Sequence, residues 1–208
     1  MDDISDDNIK SVLQEYGVVA DQALCWNIRT YTSLLLRWNR RVALTAVTDP
    51  MKILRFHFGE SLFAASAVPI EDGRLADIGS GAGFPGLPLR MMRSDLKVVL
   101  IEPNSKKATF LSEIIRQLDL DHVSVFRGRM EDIRAEEPVF DLVTARAVGR
   151  HRDLLVWSRA HLRDGKLVLW LGEEDASIIS RLSGWTWTSP LRIPGSIGRY
   201  ILVGSPRR

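Results

Sequence analysis

Residues 77–89 read DIGSGAGFPGLPL. An acid closes the short apolar run RLADI, and three glycines then alternate with Ser80 and Ala82. Glycine beside a strand packs nothing and costs backbone entropy, so such a turn marks a close approach to the main chain. A strand, a glycine turn and a helix opening at LPLRMMR make the first unit of an α/β sheet. The rest of the chain must supply the neighbouring strands.

The rhythm continues as that unit demands. KVVLIE is a continuous apolar run, as suits a strand buried on both faces. SKKATFLSEIIRQLDL is a helix with Phe110, Leu111, Ile114, Ile115 and Leu118 on one side, and VSVFRG and FDLVTARA are two more strands. HRDLLVWSRAHL is a helix expected to end in the turn Arg163-Asp164-Gly165, before a fifth strand, KLVLWLG. Residues 173–182 can form another helix. WTWTSPLRI and RYILVG then read as two strands joined through PGSIG, a hairpin. Strands alternating with helices predict a parallel sheet with right-handed crossovers and an antiparallel C-terminal edge.

Upstream the period is helical. Leu24, Ile28, Tyr31, Leu35, Trp38 and Val42 recur at steps of four and three, with Asp21 as a plausible cap. Asp49-Pro50 announces a second helix through MKILRFHFGESLFAASAV. The expected division is a helical extension over residues 1–72 and an α/β domain over residues 73–208.

Three ligands compete for the glycine turn. A Walker loop needs Lys-Ser/Thr after its last glycine, and Leu87-Pro88 follow Gly86 instead. The dinucleotide pattern Gly-x-Gly-x-x-Gly does match from Gly81, but late relative to the strand end, with Pro85 where a pyrophosphate would meet the helix. Asp77-x-Gly79-x-Gly81-x-Gly83 fits the loop of S-adenosyl-L-methionine (AdoMet) sites best. There the glycines let the backbone approach an amino-acid tail and ribose, and Asp77 orients the loop or the ammonium. Glu102, closing the second strand, can accept hydrogen bonds from ribose hydroxyls, a feature that dehydrogenases share. Met130, Glu131 and Asp132 follow the third strand, where methyltransferases contact adenine. The two acids can equally cap a short helix.

Charge adds a partner class. Residues 1–21 carry a net −5, against +2 for the whole chain, which leaves a basic body. Of 28 basic residues 22 are Arg, which suits phosphate and base edges, although an Arg-rich codon usage gives the same count. The single cysteine, Cys25, excludes an internal disulfide and a cysteine-rich metal site. No apolar stretch approaches the ~18 residues of a membrane span. The expectations are therefore a cytoplasmic protein, no membrane, no metal and a monomer.

WNRRVALTAVTDP at 38–50, DIGSGAGFPGLPL at 77–89, IEPNSKKATFL at 101–111 and FDLVTARAV at 140–148 together resemble the ribosomal small-subunit methyltransferase G family, also called glucose-inhibited division protein B. The resemblance spans nearly the whole chain. It implies a class I AdoMet-dependent methyltransferase fold, Rossmann-like and seven-stranded, with an N-terminal helical extension. It implies N7 methylation of one guanine in 16S rRNA of the 30S subunit. It also implies cofactor contacts at Gly79, Phe84, Met130, Glu131 and Arg146, with Glu102 where the family more often has Asp.

The residues agree with that chemistry. C5 methylation of a pyrimidine needs a cysteine nucleophile, and Cys25 lies in the N-terminal helix. Methylation of exocyclic amines goes with Asp/Asn-Pro-Pro-aromatic after the fourth strand, where this chain has Thr144-Ala145-Arg146-Ala147. Guanine N7 already offers a lone pair, so positioning suffices and no catalytic acid or base is assigned. Arg146 is the best candidate for orienting cofactor or substrate. Arg150, His151 and Arg152 are read as a possible phosphate rim, and Arg37, Arg40, Arg41, Lys52 and Arg55 as a second basic patch. His57 reads as packed, and Trp185 and Trp187 as hairpin core or a stacking platform. The alternatives are a class I methyltransferase with another substrate, an NAD-binding oxidoreductase, or a non-catalytic RNA-binding factor with the same fold.

Overall fold

A computed structural model describes residues 4–69, 73–134 and 139–207. Helices α1 (Asp6–Gln14) and α2 (Gln22–Asn39) open the chain. The Asp21 carboxylate accepts from Leu24 N at 2.7 Å, so the expected cap of α2 forms. A second helical run starts where Asp49 accepts from Lys52 N at 2.8 Å. It passes through α3 (Pro50–Ile53), a π-helical turn (Leu54–Gly59) and α4 (Glu60–Ala67). The expected boundary at residue 72 falls on residues 70–72, outside the described residues.

From Gly73 strands and helices alternate. They are β1 (Gly73–Ile78), α5 (Gly86–Met92), β2 (Leu96–Ile101), α6 (Ser105–Gln117) and β3 (Val123–Phe126), then β4 (Phe140–Arg146), α7 (His151–His161), β5 (Leu162–Gly172) and α8 (Glu173–Ile179). Three strands close the chain: β6 (Trp185–Trp187), β7 (Leu191–Arg192) and β8 (Arg199–Pro206). The sheet order is β3-β2-β1-β4-β5-β8-β6, with β7 also on β8. Strands β1 to β5 pair in parallel, and β8 runs antiparallel to β5, β6 and β7.

Two details depart from the sequence expectation. The strand expected over WTWTSPLRI is broken into β6 and β7, giving eight strands. Pro190 lies in the break and has no N–H to donate to β8, so the ladder lapses there. The turn expected at Arg163-Asp164-Gly165 lies inside β5. Phe140 pairs with Leu162 but Leu142 with Lys166, so β5 carries extra residues in a bulge. Gly165 crosses the Asp141 backbone so closely that a Cβ would lie 2.1 Å from its carbonyl oxygen.

Side chains alternate between two cores, as strand geometry requires. Val168 and Trp170 of β5 face one cluster; Leu167, Leu169 and Leu171 face the other, against α7 and α8. The first cluster also holds Ile9, Leu13, Ile28, Leu35 and Leu62 of the N-terminal helices, with Leu87 and Phe110 of α5 and α6. The N-terminal helices therefore share one core with this face of the sheet.

Candidate functional site

Strand order reverses direction beside β1, whose neighbours are β2 and β4. In open α/β sheets the crevice at the carboxyl ends of such strands is where ligands bind. The glycine turn sits there, held by two acids. Asp77, fully buried, accepts from Gly86 N at 3.2 Å and from the Thr144 hydroxyl at 2.8 Å. Burial pushes its carboxyl up to about 6, although the Thr144 and Gly86 bonds oppose the rise. Asp77 thus orients the loop, one of its two expected roles, and ties β1 to β4.

Glu102 does the same from β2. It is 5% exposed, and its two oxygens accept from Gly81 N and Asn104 N, both at 2.8 Å. Asn104 in turn caps α6 through Lys106 N and Lys107 N. Gly79 N and Ser80 N donate to Ile101 O, and Gly83 N to Ser80 O at 2.6 Å. Gly79, Gly81 and Gly83 all have positive φ, at 66°, 56° and 91°, which is why a side chain is disfavoured at each.

One hollow of about 170 Å³ opens at this turn. Ile78, Ile101, Met130 and Val148 give it apolar walls, and Gly79, Pro103, Gly128, Arg129, Glu131 and Arg150 complete it. Met130 is buried in a short 3-10 turn (Met130–Asp132), and Asp132 caps that turn by accepting from Arg129 N at 2.7 Å. Glu131 is exposed and pairs with Arg150 at 2.8 Å. A Cβ on Gly79 would come within 3.3 Å of a Val148 methyl and narrow the hollow, whereas at Gly81 it would make only an ordinary van der Waals contact, 3.7 Å from Gly79 O. An apolar slot with a carboxylate at its rim, that of Glu131 beside Arg150, fits the face and exocyclic amine of a purine, so these residues suit AdoMet.

Of the expected site residues, the structure brings Gly79, Met130 and Glu131 together around this hollow. Phe84 turns the other way. Its ring stacks on Tyr31 at 5.2 Å and His57 at 4.8 Å, and meets Phe58 edge-on at 5.1 Å. Arg146 leaves β4 away from the hollow. Its guanidinium donates to Phe56 O at 2.6 Å and to Glu60 at 3.0 Å. Glu60 is 1% exposed and lies 2.7 Å from Arg199, which stacks over Phe56 at 4.8 Å. Burial raises the Glu60 carboxyl, and the two guanidiniums oppose that rise. Arg146, Arg199, Glu60 and Trp170 line a second hollow, of about 270 Å³, at the ends of β4 and β5.

Sequence reasoning missed three contributors. Tyr31 read only as part of an apolar stripe, yet its hydroxyl donates to Ala82 O at 2.5 Å inside the glycine loop. A buried tyrosine must find a partner, and that is the signal that marks it. Glu60 stood as a lone acid in the apolar run FHFGESLF, which signals a buried counter-ion. Arg199 carried no local signal. His57 is packed as expected: its Nε2 lies 2.8 Å from Thr45 Oγ1, and burial with the Arg146 charge pushes its ring down to about 4. Trp185 is buried and stacks on Trp187, so the pair serves as hairpin core. Arg150 is bound to Asp153 as well as Glu131, and Arg55 to Glu15.

This strand order, glycine turn and acid-braced crevice define a class I methyltransferase. Solved structures agree. A ribosomal protein L11 methylase from Lactobacillus delbrueckii subsp. bulgaricus superposes with a TM-score of 0.61 at 15% identity, covering 74% of this chain and 80% of that one. A SAM-dependent methyltransferase from Aquifex aeolicus also gives 0.61 at 15% identity, over 76% and 93%. The family model described as rRNA small subunit methyltransferase G matches residues 25–180. Curated proteins of that name are 38% identical over 187 residues in Xanthomonas axonopodis pv. citri, covering 88% of this chain and 87% of the relative. In Roseiflexus sp. RS-1 the figures are 36% over 212 residues, covering 95% and 89%. The chain belongs to the rRNA small subunit methyltransferase G family.

Proposed function

We propose that this methyltransferase uses AdoMet to methylate N7 of a guanine in 16S rRNA of the small ribosomal subunit, acting as a cytoplasmic monomer. The single observation that carries the reading is the hollow at Gly79, Met130 and Glu131, set in the crevice of a chain of this family. Its apolar walls suit the adenine, and Glu131 at the rim suits the exocyclic amine. Gly79 and Gly81 leave the loop open to the rest of the ligand, while Asp77, Glu102 and Gly83 hold the loop in shape. When bound, AdoMet supplies an electrophilic methyl on a sulfonium.

The protein's part is to orient and exclude water. Guanine N7 carries an in-plane lone pair and no proton, so no side chain has to remove one before attack. The crevice is consistent with that economy. Cys25 is buried in α2, and Thr144, where amine methyltransferases place an Asn or Asp, is turned inward onto Asp77. The hollow at Arg146, Arg199 and Trp170 suits the acceptor base: a single arginine N–H can donate to guanine O6, whereas the bidentate contact that also takes N7 would block attack. The helices within residues 1–72 are read as the extension that carries substrate to residues 73–208. No helix of the described residues is long and apolar enough to cross a membrane.

The test adds purified protein and radiolabelled AdoMet to small subunits from cells lacking the protein, then maps the modified base. Label at one site as 7-methylguanine is expected. AdoMet binding with no label on the subunit would overturn the substrate, and label at an exocyclic amine would overturn the N7 assignment.

A further inference from the structure

The crevice does not use three arginines at the end of α2. Arg37, Arg40 and Arg41 are exposed, and with Trp38 and Val42 they line one hollow of about 530 Å³. Among the described residues, none of the three guanidiniums has a hydrogen-bond or ion-pair partner. Several arginines elsewhere are paired: Arg29 with Asp6, Arg55 with Glu15, Arg116 with Glu113, and Arg146 and Arg199 with Glu60. Glu113, whose carboxyl the Arg37 charge helps to lower, already accepts from Arg116 and Gln117. Three cations within five residues repel one another unless an anion joins them.

The helix C-terminus accounts for part of this, since its dipole favours cations. It does not account for a hollow between them, nor for Arg41, which lies beyond the last turn. A longer groove of about 1000 Å³ continues along the same helix past Arg40, Arg37, Ser33, Thr30 and Trp26. Steps of three and four put these residues on one face, about 21 Å long. Cations, hydroxyls and a half-exposed indole along one groove are the chemistry that tracks a nucleic-acid backbone.

This end of α2 is also tied to the crevice. Asn39 accepts from Leu44 N and Thr45 N and donates to Thr45 O. Thr45 reaches His57, and His57 stacks on Phe84 of the glycine loop. A strand held at the arginines would therefore be held at a fixed place relative to the cofactor loop.

We propose that the Arg37–Arg40–Arg41 hollow binds the phosphodiester backbone of the RNA substrate, as a docking site separate from the crevice. The inference rests on RNA being the substrate. Full-length protein would be titrated with deproteinised 16S rRNA over a series of KCl concentrations. Removing one phosphate-binding cation lowers the slope of log K against log salt by about 0.7–0.9. The triple variant R37Q/R40Q/R41Q is expected to reduce that slope by about 2 and to bind at least tenfold more weakly at 100 mM salt. AdoMet affinity should stay unchanged, and KM for small subunits should rise with little change in kcat. The triple lysine variant keeps the charges and should keep the slope. A folded glutamine variant with the wild-type slope overturns the proposal, as does competition of inorganic phosphate at low millimolar levels as effective as that of RNA. If the triple glutamine variant does not fold, R41Q alone, outside the helix, is expected to reduce the slope by about 0.7–0.9, and an unchanged slope is equally fatal. Wild-type protein that methylates subunits while the variant slope is unchanged sinks only this docking site. Wild-type protein that binds neither RNA nor subunits sinks the substrate reading itself.

Discussion

Gly83 and Gly81 lie two residues apart in the same loop, yet alanine should do different things at each. A Cβ at Gly83 would lie 2.2 Å from Tyr31 Oη and 2.6 Å from a Leu87 methyl, at a φ of +91°. That φ alone costs an L-residue about 1–2 kcal/mol. Moving Tyr31 breaks its bond to the buried Ala82 carbonyl, worth about 1–3 kcal/mol when a group is left unpaired. Gly83→Ala should therefore lose about 3–4 kcal/mol, which in a chain of this size lowers Tm by about 10 °C. At Gly81 a Cβ meets nothing closer than 3.7 Å, so only the φ cost of about 1 kcal/mol applies. Gly81→Ala should melt within about 4 °C of wild type. Its AdoMet affinity, measured by calorimetry, should fall at least tenfold, because the added methyl stands where the proposed ligand approaches the loop.

The share due to Tyr31 can be measured separately. In a Tyr31→Phe background the closest atom is gone and the carbonyl is already unpaired. Gly83→Ala should then cost about 1–2 kcal/mol less than in wild type, a coupling of the size expected for touching residues. Additive costs, or a Gly83→Ala protein that melts like wild type, would refute the reasoning. So would Gly81→Ala proving the less stable of the two.

Asp77 has a native pKa of about 6, raised by burial from an ordinary value of 3.8, so its contribution to stability is full below pH 4 and is lost as pH rises through 6. The stability of wild type relative to Asp77→Asn should fall by about 3 kcal/mol across that window in urea melts, and a flat difference would contradict the role given to burial. His57 behaves oppositely: its ring is pushed down to about 4, so it stabilises the fold above pH 6.5 and that stability is lost as pH falls towards 4. His57→Gln should show a shallower loss on acidification between those values, and an equal slope would place a proton on the native ring. Glu60→Gln leaves Arg146 and Arg199 without their counter-ion and should cost about 3 kcal/mol, or 6–12 °C in Tm. A Glu60→Gln melt unchanged from wild type would mean the two guanidiniums are already solvated.

The sheet and the glycine turn were legible because they obey local rules. Apolar runs of the right length, caps at Asp21 and Asp49, and positive-φ glycines all act within a few residues of one another. The side of the site that each residue serves was less legible. Phe84 sits in the loop motif, but its ring follows the free energy of aromatic burial into Tyr31, His57 and Phe58, which lie far away in sequence. Arg146 is set by β4, yet its direction is decided by Glu60, 86 residues earlier. The bulge at Gly165 arises from a crossing with Asp141 that no local pattern announces. Long-range charge pairing and close backbone crossings have no period, so a sequence read one segment at a time does not display them.

Helix α2 links these observations. Tyr31 grips the loop carbonyl from one side, and Glu102 grips the loop N–H at Gly81 from the other. The loop is thus braced between the N-terminal helices and the second strand, rather than by the sheet alone. Further along the same helix, and just past its end, stand Arg37, Arg40 and Arg41. A single rigid element then carries both a brace of the cofactor loop and the proposed grip on the substrate backbone. A long side chain on a helix interior moves little without the helix, so the separation between the two sites is fixed by about 1.5 Å per residue rather than by a flexible linker. That arrangement suits a reaction left to positioning: if no residue must move a proton, what remains for the protein is to hold two partners at one distance.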